Sequence, residues 1–151
     1  MQTIVITSGY FNPIHPGHIE CFYLARELGN ELWVIVNNNE QAKLKRGEES
    51  FQDEGFRMKV VKAIKPVDKV ILSIDNYQLE NGEIPICDTL RRCAKQILQK
   101  DPDTKIIFAK GGDRFAENTP ELEVCREFHI QLVSGLGDKI YNSSDFLNKT
   151  K

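Results

Sequence analysis

The chain lacks a basic excess: 20 Lys and Arg stand against 22 Asp and Glu, for a net charge of −2. That balance is a poor footing for gripping long nucleic acid through its phosphates, so no nucleic-acid partner is expected. It also lacks any apolar run near the ~20 residues that a membrane span requires, and no membrane partner is expected either. Its four cysteines, Cys21, Cys87, Cys93 and Cys125, contain no CxxC pair and no visible paired framework. Reduced thiols in a cytoplasmic protein are the expectation. Repeats, low-complexity tracts and linkers are missing too. The start, MQTIVITSGYF, has no charged n-region, and Ser8 and Gly9 break its apolar run, so a signal peptide is not expected there.

What is present is the composition of a globular protein. At 151 residues and 40% hydrophobic content, residues 1–151 are expected to form a single domain. Strand and helix patterns alternate. Residues 3–7, 32–36, 69–72 and 105–109 are short, β-branched and apolar on both faces, as strands covered from two sides must be. Residues 130–133 form a weaker fifth. Between them, Cys21, Leu24, Ala25 and Leu28 keep helical spacing before Gly29. Asp53 is placed to cap a helix carrying Phe56, Val60 and Ala63. Leu90, Cys93, Ala94, Ile97 and Leu98 mark a third helix with Asp88 as its cap. Thr119-Pro120-Glu121 reads as an N-cap, a proline at N1 and an acid in the first turn. The expected fold is therefore α/β: a Rossmann-like open parallel five-stranded sheet with helices on both faces. Such sheets bind ligands beyond the carboxyl ends of their strands, where strand order reverses.

The loop after the first strand is the most unusual. Gly9 allows a sharp turn and close approach to a ligand, and Pro16 suits the first turn of a helix. His15 and His18, three apart at that helix N-terminus, can flank an anion site built from free backbone N–H groups. There they would donate to phosphoryl oxygens. Two other readings stand beside this one: a capping His with a core His, and a zinc site formed with Cys21 at i, i+3, i+6. Beyond the second strand, Lys43 and Lys45 are two apart, and in an extended loop they would project the same way toward neighbouring phosphates. Arg57 also has a structural alternative, pairing with Glu54.

The segment Gly9-Tyr10-Phe11-Asn12-Pro13-Ile14-His15-Pro16-Gly17-His18 resembles the GxFDxxHxGH motif of the cytidylyltransferase-like nucleotidyltransferases, with Asn12 in place of the commoner Asp. That superfamily includes glycerol-3-phosphate cytidylyltransferase and heptose-1-phosphate adenylyltransferase. The resemblance implies strand order 3-2-1-4-5 and transfer of NMP from an NTP to a phosphorylated small molecule, with pyrophosphate released. It implies catalytic roles for His15, His18 and Lys45, and acceptor contacts for Lys43 and for Arg57 of an E-x-x-R stretch. Nucleotide contacts would come from Gly9, Tyr10, Phe11 and Gly17, from Gly112, Asp113 and Arg114 of a GGD-like segment, and from Ser143 and Ser144 of an ISTT-like helix start. Mg²⁺ would enter with the triphosphate, no protein-held metal is expected, and relatives often form homodimers.

Where cytidylyltransferases of lipid and teichoic-acid synthesis carry an RT pair, this chain has Gly137-Asp138-Lys139-Ile140, so CTP and ATP both stay open. Tyr10, Phe11, Trp33 and the segment Gln78–Ile86 of the insertion Gln78–Cys87 are expected to shape the acceptor pocket. The alternatives to an enzyme of this kind are a nucleotide-binding regulator of the same fold and a zinc hydrolase.

Overall fold

A computed structural model of the chain describes residues 1–111 and 119–136. Its elements run β1 (Thr3–Gly9), α1 (Pro16–Glu27), β2 (Glu31–Val36), α2 (Asn39–Arg46), α3 (Glu54–Lys62), β3 (Lys69–Leu72), α4 (Cys87–Lys100), β4 (Lys105–Gly111), α5 (Leu122–Glu127) and β5 (Gln131–Leu136). All five strands pair in parallel in the order β3-β2-β1-β4-β5. The expected architecture is the observed one.

Strand periodicity explains the two cores. Val5, Leu32, Val34, Val36, Ile107 and Ala109 face one way and pack against Phe22 and Ala25 of α1 and Val61 of α3. Their neighbours Ile4, Ile6, Trp33, Ile35, Ile106 and Phe108 face the other way, against Leu90, Ala94 and Ile97 of α4 and Val124 of α5. Successive side chains point to opposite faces, so a strand buried on both must be apolar throughout. The chain winds outward from β1 through β2 to β3, and α4 then carries it across to β4 on the other flank of β1. The carboxyl end of β1 is thus the point where strand order reverses. Among the described residues no helix is long and apolar enough to cross a membrane.

Several local expectations need correction. Residues 39–46 form a helix, α2, where a loop was expected. Its composition is almost wholly polar, so apolar spacing is silent, but its ends are specified. Asn38 and Gln41 make a reciprocal capping box, and Gly47 closes the helix at φ 76°, a left-handed conformation suited to glycine. In α3, Asp53 caps as expected, accepting from Gly55 N–H. The face differs, however: Phe56 is 53% exposed, while Arg57 and Val61 are fully buried. A charged residue on the inner face hid the true stripe. Helix α5 begins at Leu122 rather than beside Pro120, with Glu121 at its N-cap position and no side-chain cap. Trp33 lies inside β2, with its side chain in the sheet core, not on an acceptor pocket.

The start of α4 is also capped differently. Asp88 does not serve. Asp75, 1% exposed, accepts from the backbone N–H of Asp88 at 2.9 Å and of Thr89 at 3.0 Å, and from the Thr89 hydroxyl. A carboxylate from the preceding loop supplies what the N-cap residue Ile86 cannot. Asp75→Ala is expected to lower stability by about 1–2 kcal/mol, the usual scale of a lost cap. Asp88→Ala, which breaks only an exposed pair with Arg91, should cost under about 1 kcal/mol. Urea denaturation of the two variants checks the ranking.

Candidate active site

The loop from β1 to α1 builds the site from its own backbone. His15 is the N-cap of α1, and its Nδ1 accepts from Gly17 N–H at 3.1 Å. His18 reaches back, its Nδ1 accepting from His15 N–H at 3.1 Å. The two histidines are a capping box, with imidazoles in the roles more often taken by Ser and Glu. Their rings stack with centroids 3.7 Å apart and planes 24° from parallel. Because each Nδ1 is an acceptor, the single proton of each neutral ring resides on Nε2.

Burial favours the neutral form of both rings, and His15 adds to this for His18. Burial lowers the His15 pKa. His18 is driven from 6.5 down to about 4, first by burial and then by His15. An imidazole neutral when folded but protonated when unfolded weakens folding as acid is added. Its contribution is intact above pH 6.5 and lost as pH falls toward about 4, at about 1.4 kcal/mol per pH unit. His18→Phe is therefore expected to flatten the fall in stability between pH 7 and pH 5. Equal slopes for the two proteins in denaturant titrations would contradict the burial assignment.

The aromatic residues of the loop divide between core and cleft. Phe11, with φ 53°, is 5% exposed and packs edge-on against His18 at 5.1 Å and Phe22 at 5.3 Å. A Cβ on Gly9 would meet the Phe11 ring at 2.7 Å, so this glycine makes room for the chain's own phenyl ring. Tyr10 instead lines the cleft, with its hydroxyl pKa raised to about 12 by burial and Lys45 Nζ 4.5 Å above its ring. Asn12 donates to Ser50 Oγ at 3.0 Å and accepts from Gln52 N–H at 2.9 Å. It ties the loop to the segment before α3 using both ends of an amide, which an ionised Asp cannot do.

Arg57, expected to touch the acceptor, is fully buried. Its guanidinium donates to the carbonyls of Gln52 at 2.9 Å, Tyr10 at 2.8 Å and Asn37 at 2.7 Å, and to Asn39 Oδ1 at 3.1 Å. It ties α3 to the carboxyl ends of β1 and β2 and is committed to the scaffold. The two lysines part company for a related reason: in a helix, residues two apart face nearly opposite ways. Lys45 lines the cleft, while Lys43, 62% exposed, lies 3.6 Å from Glu49.

The cleft measures about 410 Å³ at the carboxyl edge of the sheet. Ser8, Gly9 and Tyr10 from β1 and its loop form its floor, with Asn37 and Lys45 on the β2 side. Lys110, Gly111 and Glu121 stand on the β4 side, and residues 81–84 with Ile86 form the rim. The histidines, at the start of α1, are not among its lining residues. Among the described residues no cluster of three His, Cys, Asp or Glu side chains could hold a metal. The Cys21 thiol, raised in pKa by burial, is directed to Leu136 O at 3.6 Å. Gly112, Asp113, Arg114, Ser143 and Ser144 lie outside the described residues. Sequence reasoning missed Glu121 as a cleft residue, because its only local signal was that of a helix-start acid.

A parallel sheet in the order 3-2-1-4-5, with a paired-histidine helix start after β1 and a cleft at its switch point, defines an open, Rossmann-like α/β protein. The chain belongs to the Cytidylyltransferase-like family, whose model matches residues 6–135. It is 34% identical over 99 residues to the FAD synthase of Pyrococcus horikoshii, covering 66% of this chain and 62% of that protein. It is also 34% identical over 114 residues to the bifunctional protein HldE of Actinobacillus succinogenes, covering 74% of this chain and 24% of that one. The matched segments thus span less than two thirds of either relative. The lipopolysaccharide core biosynthesis protein of Thermoplasma volcanium GSS1 superposes with a TM-score of 0.59 at 23% identity, over 91% of this chain and 100% of that one. At that identity the likeness is one of fold.

Proposed function

We propose that the chain transfers NMP from CTP or ATP to the phosphate of a small phosphorylated metabolite and releases pyrophosphate. The observation that carries this reading is the stacked His15–His18 capping box at the start of α1, which follows the β1 loop whose Gly9 and Tyr10 line the switch-point cleft. An acceptor phosphate is already an anion at neutral pH, so its oxygen attacks the α-phosphorus in line without a general base. Positioning and charge stabilisation then do the catalysis. His15 and His18 donate to the α- and β-phosphate oxygens, and Lys45 supplies cationic charge from the β2 side of the cleft. Arg114, Ser143 and Ser144 receive the departing pyrophosphate. Arg57 acts as a positioning residue, through Tyr10 and Asn37. Mg²⁺ arrives on the triphosphate, held mostly by phosphate oxygens and water because it dehydrates reluctantly.

A thermal-shift screen of ATP, CTP, GTP and UTP with Mg²⁺ ranks the nucleotides. A ligand at 100 times its Kd adds about 2.7 kcal/mol of stability. Pyrophosphate release with a panel of phosphorylated acceptors tests the reaction. Nucleotide binding without release from any acceptor would overturn this reading in favour of a binding protein.

A further inference from the structure

Helix α2 has no apolar stripe to fix how it is turned about its axis. Its eight residues bury only Gln41 and Ala42, and Gln41 is 0% exposed. The Gln41 amide is held at both ends. Its Oε1 accepts from Asn38 N–H at 3.0 Å and from the Ser73 hydroxyl. Its Nε2 donates to Pro85 O at 3.2 Å, a buried bond between α2 and the segment leading into α4. Reversing the amide would set its NH2 against two donors, so only one orientation is satisfied. The surroundings are tied down as well. Asn38 N–H also reaches Ser73 Oγ at 3.0 Å, and Asn38 Nδ2 donates to Ser73 O at 3.0 Å and to Asp75 O at 2.8 Å.

These bonds decide where Lys45 points. Residues four apart on a helix lie on one face, so the face that buries Gln41 carries Lys45 one turn later. Lys45 lines the cleft, with its Nζ 4.5 Å above the Tyr10 ring. Ile86, next to Pro85, lines it too. Turning α2 by one residue, about 100°, would carry Lys45 off this face and bring Leu44 or Arg46 toward it. In most helices a broad apolar stripe resists such a turn. Here the single methyl group of Ala42 offers little resistance, and the Gln41 amide supplies the rest. Any other rotation would leave its buried polar atoms, and those of Ser73 and Pro85, without partners.

We propose that Gln41 is a positioning residue for nucleotidyl transfer: its amide fixes the rotation of α2 and thereby keeps the Lys45 ammonium in the cleft. This rests on the nucleotidyl-transfer reading, in which Lys45 serves the phosphates, and adds the residue that sets its place. Gln41 is not among the residues lining the cleft, so its effect on substrate passes through Lys45. Gln41→Met is a sharp probe of it. Methionine keeps an unbranched side chain that packs adaptably and removes both hydrogen-bonding ends of the amide.

A double-mutant cycle with Lys45→Met, on the full chain, separates positioning from support. Calorimetry measures binding of ATP and CTP with Mg²⁺, a panel of phosphorylated acceptors gives the rate of pyrophosphate release, and urea denaturation gives stability. Q41M is expected to weaken binding of the better nucleotide at least about tenfold and to lower its kcat/KM on the order of 10²-fold, the scale of a displaced catalytic group. In the K45M background the same substitution is expected to change both by less than about twofold, because the group it displaces is gone. Its loss of stability should be equal in the two backgrounds, since the broken bonds do not involve Lys45. Equal losses of affinity in both backgrounds would show a merely structural role and overturn the proposal, as would unchanged binding by Q41M. K45M binding nucleotide as tightly as the wild type would overturn it too, while leaving nucleotidyl transfer standing. Binding without release from any acceptor would remove the transfer reading, and the cycle in affinity would still decide whether Gln41 places Lys45. Binding of neither nucleotide would remove both. Should Q41M fail to fold, Ser73→Ala takes its place, removing one donor from the Gln41 amide. A loss of affinity of about threefold, the scale of one hydrogen bond, that disappears beside K45M supports the proposal. No loss, or one that persists beside K45M, refutes it.

Discussion

Replacing His18 with alanine is expected to lower pyrophosphate release about 10²–10³-fold while leaving the protein folded, the scale seen when one preorganised donor is removed from a charge-stabilising site. The folded state survives because the loss is local. His18 accepts one backbone N–H, and a helix cap is worth about 1 kcal/mol against the 5–15 kcal/mol of an ordinary domain. The catalytic loss is expected to be larger because, on the proposed mechanism, the His18 imidazole, held neutral by burial and by His15, serves as a preorganised donor that costs no reorganisation during the reaction. His15→Ala should fall similarly, and the double variant should lose little more, since the stacked rings act as a unit. Single-turnover assays alongside circular dichroism separate chemistry from folding. Near-normal release by His18→Ala would remove the pair from the mechanism.

The second large effect is on stability. Arg57→Met is expected to destabilise the chain by about 3–5 kcal/mol, because it removes a fully buried charged donor from three carbonyl acceptors, that of Asn37 in a buried hydrogen bond and those of Gln52 and Tyr10 in part-buried ones. At this size that corresponds to a fall in Tm on the order of 10 °C. Burial pulls the Arg57 pKa down, and Glu54, Asp53 and Tyr10 push it back up, so the guanidinium stays charged and must keep its partners. Lysine should not rescue. One ammonium on a flexible stem cannot reproduce a planar fork serving Gln52, Tyr10, Asn37 and Asn39 together. Arg57→Lys should therefore be destabilised by a similar amount. A loss under about 1 kcal/mol for Arg57→Met would mean that these hydrogen bonds contribute little.

Arg57 also shows where sequence reading fails. An arginine in an E-x-x-R stretch beside phosphate-binding lysines reads as a ligand contact, yet its partners include Tyr10, 47 residues away. Once that contact is known, the exposure of Phe56 follows, since only one face of α3 can meet the sheet. Helix α2 was missed for a different reason. Apolar periodicity carries no information in a helix that buries only Gln41 and Ala42, although the Asn-x-x-Gln start and the closing glycine were both in the sequence. Glu121 is the harder case. Its partners Ile86 and Lys110 come from separate elements, and no local pattern announces that an acid at a helix start will be enclosed.

Alternation and spacing along the chain determined the sheet, its all-parallel pairing, the capped helix after β1 and the two histidines at its mouth, because these depend on neighbours within a turn or a strand. Burial of Arg57, the divergence of Lys43 from Lys45, the Asp75 cap on α4 and the enclosure of the Glu121 carboxylate were decided only when distant segments packed together. Desolvation and hydrogen-bond partnership belong to places in space, and only packing fixes those places.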